Sequence, residues 1–133
     1  MAMATVTKKA FLQFPKFEAN GPLVAAMLAI VTGLLVMAFV NIGTDMSAGF
    51  KDTVHGIGKA WIPNAQGIGP YSGKETLMLL GWLGSWPLYH LLLRRRELNL
   101  KVWFLVFVVG VAVAALLVWP PVTVPIANAL AGR

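Results

Sequence analysis

Apolar residues in this chain gather into three long blocks, separated by polar and glycine-rich stretches. The blocks run from about Pro22 to Ile42, from Lys74 to Leu93 and from Val102 to Trp119. Each is close to the ~20 residues an α-helix needs to cross the hydrocarbon of a bilayer. The pattern predicts an all-α integral membrane protein with three transmembrane helices.

Local signals support the three boundaries. Asn20 is suited to cap the first helix, and Pro22 falls in its first turn, where a missing N–H costs nothing. Thr32 is the only polar residue in the interior of this block, and its hydroxyl can bond a carbonyl one turn back. Ser72-Gly73-Lys74-Glu75 has the form of a capping box, with Ser72 as cap and Glu75 reaching back. Pro87 lies inside the second block and should bend it. Arg94, Arg95 and Arg96 close that block, because three arginines in a row cannot sit in hydrocarbon. Trp103 and Trp119 flank the third block as an aromatic belt would. Pro120-Pro121 stops it, and the tail 120–133 is expected to rest on the membrane surface.

The connection between the first two blocks, residues 43–73, has a pattern of its own. Met46, Phe50, Val54, Ile57 and Trp61 recur at helical spacing and form one apolar face. Lys51, Asp52, His55 and Lys59 fall on other faces. This predicts a short amphipathic helix over 44–61, lying flat on the bilayer and capped by Thr44 or Asp45. Gly49, Gly56 and Gly58 weaken it. A glycine-rich turn region follows, while the short basic loop 94–101 makes the second and third spans an antiparallel hairpin.

Composition agrees with a lipid solvent. Of 133 residues, 58% are hydrophobic and only 12% charged, against about 25% charged in a soluble domain. The whole chain reads as a single membrane domain. Residues 1–21 form a basic leader in which Phe11, Leu12, Phe14 and Phe17 favour the interface. The first apolar block is too long for a signal-peptide core, so an uncleaved anchor is expected.

The net charge of +6 sits beside the apolar blocks, where it meets headgroups rather than nucleic acid. With the N-terminus inside, Lys8, Lys9, Lys16, Arg94, Arg95, Arg96 and Lys101 share one side. Lys51, Lys59, Lys74 and Arg133 share the other. The positive-inside rule then places the N-terminus on the cytoplasmic or stromal face and the C-terminus opposite.

Small residues four apart mark possible packing faces: Ala25, Ala29 and Gly33 in the first span, Gly81 and Ser85 in the second, Gly110 and Ala114 in the third. Such patterns let helices approach closely in lipid. A face not used within the chain would serve a partner subunit.

Candidate chemistry is confined to the second span. Trp82, Trp86 and His90 form one stripe, with Tyr89 adjacent. A histidine in a span is a functional candidate, because polar groups in hydrocarbon are costly. His90 also stands only about 6 Å along the axis from Arg94, within reach of headgroups or a neighbouring helix. Neutral imidazole ligates haem iron or chlorophyll magnesium. His55 is expected about 21 Å away, so the two histidines cannot share one haem within the chain. A single-ligand pigment, or a haem shared with another subunit, fits the stripe. His55 and Asp52 read as a solvated pair.

With no cysteine, the chain has no thiolate site. No nucleophile–histidine–acid set and no phosphate loop can be assembled. No span carries a buried acid. The reading is therefore a non-catalytic accessory subunit of an energy-transducing membrane complex, respiratory or photosynthetic. The alternatives are a tetrapyrrole-binding protein using His90, with chlorophyll or haem as cofactor, and a stand-alone small transporter or assembly factor.

Overall fold

The computed structural model describes residues 19–133, so residues 1–18 of the expected interfacial leader lie outside the described residues. Five helices follow one another: α1 (Gly21–Met46), α2 (Ala48–Lys59), α3 (Tyr71–Leu93), α4 (Leu100–Val118) and α5 (Pro120–Leu130). A single 3-10 turn, Ala65–Gly67, lies between α2 and α3. There is no strand among the described residues. Three helices, α1, α3 and α4, are long and apolar enough to cross a membrane.

The central element is α1. Both α3 and α4 pack along it, and they scarcely touch each other. Small residues make this possible. Ala25 and Ala29 are fully buried. Gly33 lies under α3, where an added Cβ would stand 2.9 Å from the Trp82 Cβ and 3.1 Å from the Met78 carbonyl oxygen. Val36 fills the space that Gly81 leaves open, and Val31 does the same at Gly110. Ala114 is 2% exposed. Ala25, Ala29, Gly33, Gly81, Gly110 and Ala114 thus serve contacts within the chain.

One end of the bundle is tied by Asn20. This residue precedes α1 but does not cap it with its side chain. Its amide instead pairs with the backbone of Leu98: the Leu98 N–H donates to Asn20 Oδ1 at 2.7 Å, and Asn20 Nδ2 donates to the Leu98 carbonyl. The Gly21 N–H donates to the Arg96 carbonyl at 3.0 Å. Loop 94–99 is therefore fastened to the start of α1.

The opposite end departs from the sequence reading in four places. First, Thr44, Asp45 and Met46 belong to α1, not to the amphipathic helix. Helix α2 starts at Ala48 behind Ser47, whose hydroxyl accepts from the Phe50 N–H at 3.3 Å. Second, Val54 does not lie on a surface: it is 1% exposed, packed on α3. Gly58 and Gly73 permit this crossing, since a Cβ on Gly58 would overlap Ser72 and one on Gly73 would overlap the Val54 carbonyl.

Third, Ser72 is no cap. Pro70 already has helical dihedrals, so α3 starts at Tyr71. A proline suits the first turn of a helix. The Ser72 hydroxyl donates to the Gly69 carbonyl at 2.8 Å. Fourth, the tail is helical. Pro120-Pro121 ends α4 and begins α5, which folds back onto α1. Thr123 is fully buried and donates to the carbonyls of Leu117 and Trp119, stitching the corner at 2.7 and 3.0 Å.

Candidate functional site

Successive rows of α3 do different things. Gly81, Ser85 and Tyr89, spaced four apart, form one row. Gly81 receives Val36 of α1, and Ser85 donates to its own helix at the Trp82 carbonyl, at 3.2 Å. The Tyr89 hydroxyl meets the Thr32 hydroxyl at 2.8 Å. Thr32 also donates to the Leu28 carbonyl at 2.9 Å, as its position in a helix allows. Thr32 thus gains a partner on α3 that the sequence reading did not assign.

The neighbouring row holds Trp82, Trp86 and His90. The two indoles stack with centroids 6.0 Å apart and planes 12° from parallel. Their near-parallel faces form a ribbon along α3. Trp82 is half-buried against Gly33, Trp86 is 40% exposed, and His90 is exposed. An apolar depression opens beside Trp82, lined also by Ile30, Gly33, Leu34 and Met78. His90 stands about 12 Å further along the axis. The stripe is therefore continuous in aromatic surface, but its one ligand-bearing residue is two turns from the depression.

Pro87 lies within this helix, which runs on to Leu93 without a break. It offers no N–H, so the Leu83 carbonyl lacks its usual helical donor.

Asp52 is exposed, whereas His55 is half-buried rather than fully solvated. The His55 ring is joined to the Ala65 carbonyl through Nε2 at 3.3 Å, tying α2 to the 3-10 turn. Among the described residues no three of His, Cys, Asp and Glu cluster as metal ligands would.

The remaining face residues of the connection divide their tasks. Phe50 is 41% exposed, yet one edge of its ring covers Gly43 of α1. Trp61 is 59% exposed, and its indole N–H donates to the Thr76 hydroxyl at 3.0 Å. Ile57 is half-buried. Met46, at the last residue of α1, offers its carbonyl to the Arg133 guanidinium at 3.4 Å.

A polar knot at this end was not assembled from the sequence. Lys74 is only 5% exposed. Its Nζ donates to Asn41 Oδ1 at 2.6 Å and lies 4.9 Å from the centre of the Tyr71 ring. Thr76 donates to the Ser72 carbonyl at 2.6 Å and accepts from Trp61. The signal was available: Asn41 is near the far end of α1 and Lys74 near the start of α3. Antiparallel packing brings such positions to one level. No described side-chain donor or acceptor is left buried without a partner.

Neither any protein-family model nor any curated protein or solved structure matches this chain.

Proposed function

We propose that this chain is an accessory subunit of a multi-subunit membrane complex of the energy-transducing kind, with α1, α3 and α4 in the bilayer. It contributes no catalytic group of its own. The observation that carries this reading is how α1 is shared. Because α3 and α4 both pack on α1 and hardly on each other, each keeps a long apolar face outward. Leu80, Leu83 and Leu91 are exposed on α3, and Val102, Leu105 and Val109 on α4. Faces of this size, built from large side chains, suit lipid and neighbouring helices together. The buried hydroxyls and the Lys74–Asn41 pair are engaged in holding the bundle, which suits a scaffold.

In the proposed orientation the Asn20 end faces the cytoplasm or stroma, since Arg94, Arg95, Arg96 and Lys101 gather there. Native electrophoresis in mild detergent tests the subunit reading. Co-migration with a defined set of larger membrane proteins is expected. Migration of the native protein as a free small monomer would overturn it.

A second reading rests on the Trp82–Trp86 stack and the exposed His90 one turn beyond. A tetrapyrrole ligated by the His90 imidazole would lay its macrocycle along the aromatic ribbon. The absorption spectrum of the native protein, compared with that of His90→Leu, decides it. An unchanged spectrum removes this reading.

A further inference from the structure

A groove runs between the first turns of α1 and α4. Leu23 and Met27, one turn apart, wall it on α1, and Leu100 and Phe104, also one turn apart, wall it on α4. Lys101 is the charged residue of its lining. Leu23, Leu100 and Phe104 are 54%, 39% and 58% exposed, so the walls are open to whatever surrounds the bundle. Past Leu23 the groove continues into a depression bordered by Asn20, Pro22 and Glu97.

The groove adjoins the basic loop that leads into α4. Arg94, Arg95 and Arg96 are exposed in the loop that Asn20 and Gly21 fasten to α1. The Glu97 carboxylate accepts from the Asn20 backbone N–H at 3.3 Å, so it is turned toward the main chain. Apolar walls with a lysine in the lining match a molecule that is apolar along its length and anionic at its head.

We propose that this groove seats one anionic phospholipid. An acyl chain lies along Leu23, Met27 and Phe104, and the phosphate sits beside Lys101 with the loop arginines around it. Basic sites between helices at a membrane surface hold anionic headgroups in this way. The inference rests on the bilayer reading of α1 and α4 but not on the subunit reading. Its test uses the chain alone and so fails or succeeds separately.

The purified full chain in detergent is titrated with phosphatidylglycerol or phosphatidylcholine, and bound lipid is counted by native mass spectrometry. A single phosphatidylglycerol should bind in preference to phosphatidylcholine. Lys101→Gln should weaken phosphatidylglycerol about fivefold, the worth of one surface cation, and leave phosphatidylcholine unchanged. Phe104→Ala, at an exposed position, should weaken both lipids. Lys59→Gln, at the opposite end of the bundle, should change neither. Free glycerol phosphate should not displace the lipid. Equal binding of the two lipids, indifference to Lys101→Gln, or displacement by glycerol phosphate alone would each overturn the proposal.

Discussion

The hydroxyls of Thr32 and Tyr89 meet at 2.8 Å between α1 and α3, amid otherwise apolar packing. Helical side chains lean toward their own N-terminus, which lets Tyr89 reach back along α3 toward the level of Thr32. The bond closes the α1–α3 interface above the Gly33 contact. In lipid such an interhelical bond is worth about 0.6 kcal/mol on average and up to about 1.7. Tyr89→Phe should therefore lower stability by about 0.5–1.5 kcal/mol, measured by denaturation in mixed micelles. Thr32→Val should do the same, and the double variant should cost less than the sum of the two. Additive losses would show that the pair is not coupled.

Glycine substitutions should divide by neighbour rather than by helix. A Cβ at Gly73 meets the Val54 carbonyl, and one at Gly58 meets Ser72. Backbone and a buried serine cannot move aside cheaply, so Gly73→Ala should cost about 1–3 kcal/mol, as overpacking does. Gly84 has nothing within 4 Å of the same position. Gly84→Ala should be neutral or stabilising by up to about 1 kcal/mol, from helix propensity alone. Thermal unfolding of the two alanine variants in one detergent checks the order. Equal losses at Gly73 and Gly84 would contradict the crossing of α2 over α3.

The three long helices were legible because length and hydropathy decide them with little help from context. The structure of the connection was less so, for a physical reason. Periodicity shows that Phe50, Val54, Ile57 and Trp61 share a face, but a stripe is satisfied by lipid or by protein alike. Here Val54 meets α3, and the crossing depends on glycines that local reasoning counted only as weak points in a helix. The capping box failed because Pro70 starts α3 before Ser72 can cap it. The tail's helix was missed because a proline pair both ends one helix and begins the next. In the stripe of α3, sequence placed Trp82, Trp86 and His90 in one row. It could not show that the first two stack on each other while His90 stands apart from the depression.

Lys74 marks the same limit for charge. A lysine at the edge of an apolar block reads as a headgroup contact, yet Asn41, far away in sequence, accepts a hydrogen bond from it at 2.6 Å. A hydrogen bond to a charged group contributes about 1.5–3 kcal/mol, and more is lost when a buried cation is left without its acceptor. Asn41→Leu should therefore destabilise by at least about 1.5 kcal/mol. Asn41→Asp, which keeps an oxygen in place, should cost less. Thermal unfolding at neutral pH separates them. Equal tolerance of leucine and aspartate would mean that Lys74 does not depend on this acceptor.

The Asn20 clamp carries the last expectation. Its side chain pairs with both backbone groups of Leu98, and the neighbouring Gly21 N–H holds Arg96. These bonds join the start of α1 to the only link between α3 and α4. Since α3 and α4 barely contact each other, that link and α1 set their spacing at this end. Asn20→Ala removes two hydrogen bonds, at about 1 kcal/mol each, without touching the apolar packing. The bundle should stay folded while the loop frees itself. Trypsin should then cut after Arg95 or Arg96 faster than in the native chain, with the melting temperature lowered by several degrees. Asn20→Asp retains the Oδ1 acceptor but not the amide donor and should fall between the two. Cutting rates unchanged in Asn20→Ala would show that the loop is held by its own turn rather than by α1.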